Sequence, residues 1–87
     1  MPYTLIYAPG ALKDLEKIPP GASRRIVGTL ERLAEDDDPE GSVKRLRNSP
    51  LFSLRVGVYR VILDIRREKI IIFVLRAGLP KNVYHDL

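Results

Sequence analysis

From position 51 to position 77 the chain reads LFSLRVGVYRVILDIRREKIIIFVLRA: three strand-like runs, at 51–56, 58–65 and 69–77, parted by breaks only long enough to turn. Gly57 and Arg66-Arg67-Glu68 join the runs as hairpins. In the first run Phe52, Leu54 and Val56 point one way and Ser53 and Arg55 the other. In the second, Tyr59, Val61, Leu63 and Ile65 share one face, opposed by Arg60, Ile62 and Asp64. The third run, IIIFVL, is apolar without a break, the pattern of a strand covered on both faces. A three-strand antiparallel meander results, and its apolar face needs a second layer.

The first half supplies that layer. YTLIY at 3–7 is aromatic and β-branched and predicts a strand, bounded by Pro9-Gly10. Pro9 suits a first helical turn, after which Ala11, Leu12, Leu15 and Ile18 recur at helical spacing. Pro19-Pro20-Gly21 ends that helix, and a second is expected from about 22 to 35, striped by Ile26, Val27, Leu30, Leu33 and Ala34. A loop-rich passage punctuated by Pro39, Gly41 and Pro50 follows. The expected fold is α+β, β-α-α-β-β-β, as one domain over 1–87, with a helical hairpin on one face of the sheet and the other face open. A chain of this length buries roughly 60% of its unfolded surface, enough for a modest core and too little for a deep enclosed pocket. Parity sends Ser53, Arg55 and Arg60 to the open face and leaves Ile62 exposed beside them.

Charge narrows the partners. The net charge is +4, with carboxylates crowded into 31–40 and lysines and arginines dominating from 44 to 81. Such a balance suits an anionic partner: nucleic acid, a lipid surface or an acidic protein. There is no cysteine, which excludes disulfides and thiolate metal sites, and His85 stands alone, outside any metal spacing. Three consecutive aspartates, Asp36-Asp37-Asp38, cannot all turn to one ion and suit a solvated helix end, although acids there oppose the macrodipole. The start MPYTLIYAPG lacks the features of a signal peptide, and the apolar stretch 70–75 is too short for a bilayer, so a cytoplasmic protein without membrane contact is expected.

The stretches LFSLRVGVYRVILDI, KIIIFVLRAG and NVY, with APGALKDLEKIP near the start and VKRLRN ahead of the sheet, together resemble the RelE/ParE superfamily of toxin–antitoxin toxins. The resemblance spans the whole chain, and RVGVYR is its most specific element. It implies a small sheet holding two N-terminal helices. RelE-type members are ribosome-dependent endoribonucleases that cut mRNA and inhibit translation, whereas ParE-type members share the fold and poison DNA gyrase. Either type implies a cognate, mostly helical antitoxin and a toxin–antitoxin complex of higher order.

By the same resemblance Arg60 takes the place of the catalytic arginine and Tyr84 that of the C-terminal tyrosine, with Arg55 at a frequently basic hairpin position and Lys81 the cation left in the segment before Tyr84. Lys44, Arg45, Arg47 and Arg76 then fall to RNA binding. Attack by an RNA 2′-hydroxyl needs a base, an acid and charge stabilisation at phosphorus, and arginine's planar fork fits the last. Cations beside a phenol also favour negative charge on it. The chemistry calls for no metal and no cofactor. Leu51 and Ser53 stand where RelE-type nucleases often carry lysines, which leaves a gyrase-type toxin or a weakened antitoxin-binding homologue as alternatives. The residues also admit plainer roles: Arg60 pairing with Asp64, Tyr84 packing on the sheet edge, and Lys44, Arg45 and Arg47 as a solvated strip.

Overall fold

The computed structural model describes residues 2–84. His85 lies outside them. The elements run β1 (Thr4–Tyr7), α1 (Pro9–Lys17), α2 (Pro20–Ala34), a 3-10 turn (Pro39–Ser42), β2 (Lys44–Arg45), β3 (Phe52–Val56), β4 (Tyr59–Arg66), β5 (Ile71–Gly78) and α3 (Pro80–Val83). The five strands form one sheet in the order β1-β5-β4-β3-β2. The meander is as expected, and β1 adds to it by pairing parallel with β5. The α+β order of strand, two helices and mostly antiparallel sheet stands as the sequence predicts.

Both helices begin on proline, whose missing N–H is of no consequence in a first turn. The proline pair therefore ends one helix and starts the next: Ile18 takes an extended conformation and α2 opens at Pro20, two residues earlier than its apolar stripe predicts. The Ser23 hydroxyl donates to the carbonyl of Leu15 at 2.6 Å and ties the two helices together. Ile26, Leu30 and Leu33 of α2, with Ala11 and Ile18, pack on the sheet face formed by Phe52, Leu54, Val56, Val61, Leu63, Ile72 and Val74. Gly10 lets α1 lie close to β5; a Cβ there would stand 3.2 Å from the Arg76 side chain.

The second face of the sheet is not open. Ile62, expected to be exposed there, is wholly buried. No element is predicted after the last strand, whereas Pro80 starts a short helix that packs against β4 and β5. Val83 of that helix is buried as well. Burying Ile62 stabilises the fold by roughly 2 kcal/mol, so leaving it bare would have been costly. The third strand run corresponds to this partial cover: Ile72, Val74 and Ala77 are buried, while Ile71, Phe73 and Leu75 are only half-buried, not closed off on both faces.

A register shift interrupts the β4–β5 pairing, with Ile62 opposite Arg76 and Leu63 opposite Val74. Leu75 is the extra residue. Strict alternation from Val74 puts Arg76 on the helix-covered side, and the bulge resets the parity so that Ala77 also points into the core.

Candidate nucleic-acid interface

Gly57 and Val58 form the whole β3–β4 turn, since Val56 pairs with Tyr59. Gly57 has φ +59° and Val58 does not share the positive φ, as in a type II′ turn that needs glycine at its first central position. This two-residue turn sets the register that places Arg55 directly opposite Arg60. Like charges in direct cross-strand register repel, so the pair adds nothing to the sheet. Among the described residues neither has a carboxylate partner; Asp64, the partner considered for Arg60, instead takes Arg66 at 3.0 Å. Arg60 Nη1 donates to its own hairpin, to the carbonyls of Tyr59 at 2.9 Å and Gly57 at 3.4 Å. One nitrogen holds the side chain in place, and the other donors of the guanidinium stay available.

These two arginines line a groove of about 650 Å³ together with Lys44, Arg45, Arg47, Ser53 and Tyr84. The loop segment thus enters the site as a strand: β2 pairs with β3 so that Lys44 stands opposite Ser53 and Arg45 opposite Phe52. The guanidinium of Arg45 lies 5.5 Å from the centroid of the Phe52 ring, a cation–π contact between β2 and β3. Five cations line the groove and no carboxylate does, among the described residues. Acidic groups nearby are engaged elsewhere. Asp36 accepts from the Asp38 N–H at 2.9 Å and the Ser42 hydroxyl at 2.8 Å, which hold its carboxyl below the usual range and order the loop after α2. Of the three acids at the end of α2, Asp36 thus caps the following turn. No three histidine, cysteine, aspartate or glutamate side chains stand together as metal ligands among the described residues.

Tyr84 follows α3 and reaches back over the sheet, its hydroxyl 2.7 Å from the hydroxyl of Ser53. Two of the expected site residues lie apart from the groove. Lys81 is exposed on α3 and does not line it. Arg76 lines a separate cleft of about 250 Å³ with Asp14, Lys17 and Tyr59. Its guanidinium donates to the Asp14 carboxylate at 2.7 and 3.3 Å, and the same carboxylate accepts from the Ala77 N–H at 2.9 Å. Burial pushes the Asp14 carboxyl up, but these hydrogen bonds and the charges of Arg76 and Lys17 outweigh it and hold it below its ordinary value. Ser53, placed by parity on the face of Arg55 and Arg60 but given no role from the sequence, enters the site as the partner of Tyr84. Parity gives its face, while its contact with Tyr84, 31 residues away, has no local signal.

Comparisons with known proteins bear on the family and the fold. Residues 5–78 match the family described as ParE toxin of type II toxin–antitoxin system, parDE. Toxin RelG of Mycobacterium tuberculosis is 33% identical over 89 residues, covering 97% of this chain and 98% of that protein. A chain of the RelBE2 toxin–antitoxin complex from Mycobacterium tuberculosis superposes with a TM-score of 0.83 at 29% identity, over 94% of this chain and 95% of that one. A mutant of the E. coli toxin RelE in its free state shares the fold, with a TM-score of 0.81 at 22% identity over 99% of this chain and 93% of that one. The groove, the helical layer and these likenesses lead to one identification: the chain is a toxin of a type II toxin–antitoxin system and belongs to the RelE/ParE superfamily.

Proposed function

We propose that this toxin is a RelE-like endoribonuclease that cuts mRNA on the ribosome, without metal or cofactor, and is restrained by a cognate antitoxin in a higher-order complex. The observation that carries the reading is the Arg55–Arg60 pair, two guanidinium groups without a carboxylate partner among the described residues, facing a groove whose charged lining there is wholly cationic, with a tyrosine hydroxyl beside them. A groove without counter-charge suits a polyanion, and Lys44, Arg45 and Arg47 extend it along a backbone track. Arg60, braced by its hairpin carbonyls, is suited to the charge that builds on phosphorus as the 2′-oxygen attacks and the bond to the 5′-oxygen breaks. Tyr84 is the group placed to move a proton to or from the sugar oxygens. Lys81 and Arg76 take no step in this scheme, because neither lines the groove.

So few proton-transfer groups favour a reaction in which something else orients the RNA. The ribosome would supply that, holding the 2′-oxygen in line with its phosphate and removing much of the entropic barrier. A second reading rests on the family that matches, which is described by ParE. In that reading the groove binds a protein such as DNA gyrase and no bond is cut. Primer extension on an mRNA under translation, run beside a gyrase supercoiling assay, separates the two. New 5′ ends with intact supercoiling are expected; loss of supercoiling with uncut mRNA would establish the gyrase reading instead.

A further inference from the structure

We infer that Ser53 is the positioning residue for Tyr84, an inference that rests on the nuclease reading above. Ser53 is the one buried polar side chain among the described residues. A buried hydroxyl is destabilising unless it is hydrogen-bonded, and the partner of this one is the Tyr84 hydroxyl at 2.7 Å, 31 residues away in sequence. Tyr84 needs such a partner more than most residues do. It stands just beyond a four-residue helix, more than a third of it exposed, and a ring in that situation samples several rotamers unless something selects one. Ser53 can select because it is itself immobile: β3 pairs it with Lys44 on one side and Ile62 on the other.

The bond fixes the phenolic oxygen against a particular background. Arg55 follows Ser53 on the same face of β3 and faces Arg60 across the hairpin, and Lys44 stands in register opposite Ser53. Tyr84 oxygen, two guanidinium groups and an ammonium group thus share one patch of sheet. The chemistry of the tether suits a group that exchanges protons. Serine and tyrosine hydroxyls each donate and accept, so when Tyr84 gives up its proton Ser53 rotates its O–H to donate, and when Tyr84 is protonated Ser53 accepts. Tyr84 changes protonation state without changing position.

The test is a double-mutant cycle in single-turnover cleavage of mRNA on programmed ribosomes, with the full chain as wild type, Ser53→Ala, Ser53→Thr, Tyr84→Phe and the double variant. Ser53→Ala should lower the maximal rate by about 10- to 100-fold, the range expected for a misplaced reacting group, while half-saturation moves by about twofold or less. Ser53→Thr, which keeps the hydroxyl on a β-compatible side chain, should recover most of the rate. In the Tyr84→Phe background Ser53→Ala should add no further loss. A wild-type rate in Ser53→Ala, or the same fold-loss with and without the Tyr84 hydroxyl, overturns the positioning role and leaves the nuclease reading standing. A wild-type chain that cuts nothing where a known ribosome-dependent nuclease does cut overturns both.

Discussion

Arg60 and Arg76 stand on neighbouring strands, and their surroundings give them different tasks. Arg60 is held by carbonyls of its own turn and faces no acid among the described residues, so its charge is available to a ligand. Arg76 sits against Asp14 with two hydrogen bonds, and Ala77 adds a third donor to the same carboxylate. This clasp joins α1 to β5 and belongs to stability. Asp14→Asn should cost about 1–2 kcal/mol at neutral pH, since it weakens hydrogen bonds made to a charged acceptor. The sign of the pH dependence follows from the direction of the shift. Asp14 titrates below its ordinary value of 3.8 in the fold, so its contribution is complete above that value and lost as pH falls through the lower folded one. Urea unfolding of both proteins from pH 7 downward should show the difference between them narrowing below about pH 4. A difference that stays constant to acid pH would contradict the clasp.

At the level of elements, the C-terminal segment decides what the second sheet face can do. With α3 in place Ile62 is buried, Tyr84 is carried to Ser53, and the arginine pair lies at the rim of a covered patch rather than on an open plane. Val83, itself buried, anchors the segment, and Val83→Ala should destabilise the protein by roughly 1.5 kcal/mol through two lost methyl groups. It should also lower cleavage, because Tyr84 is its neighbour; chemical denaturation and the cleavage assay on one preparation check both, and a variant with unchanged stability would mean that α3 does not hold the face closed.

This segment also marks the limit of what could be read from the sequence. The meander, the helical hairpin and the placing of Arg55 and Arg60 on one sheet face were legible because hydrophobic period and alternation are local signals. The four residues of α3 carry no period long enough to signal a face, and Ile62 is buried by residues some twenty positions away. The edge strand β2 is two residues long, and the β5 bulge that resets the parity at Ala77 leaves no mark in an apolar run. Tertiary contact, not local propensity, determined these.

Over the whole molecule the decisive feature is the separation of charge. Carboxylates gather near the end of α2 and in the turn that follows it, and the cations line the groove. A protein that neutralises the groove should bring acidic residues, with apolar anchors supplying much of the affinity and the charges speeding encounter. Raising salt to about 0.5 M shortens the Debye length to roughly 4 Å. Association with the product of the neighbouring reading frame should then slow steeply, while dissociation changes less. Surface-binding kinetics across a salt series check this, and a salt-independent association rate would contradict it.

The central claim is that the groove performs chemistry on RNA through Arg60, and single-turnover cleavage of a ribosome-bound mRNA by wild type and Arg60→Ala tests it most directly. Arg60→Ala should cut at least about 10²-fold more slowly, the effect of losing one preorganised donor to a developing oxyanion. Its unfolding midpoint should stay near that of wild type, because a partly exposed arginine without an ionic partner contributes little to stability. A folded Arg60→Ala that cuts at the wild-type rate would contradict the account.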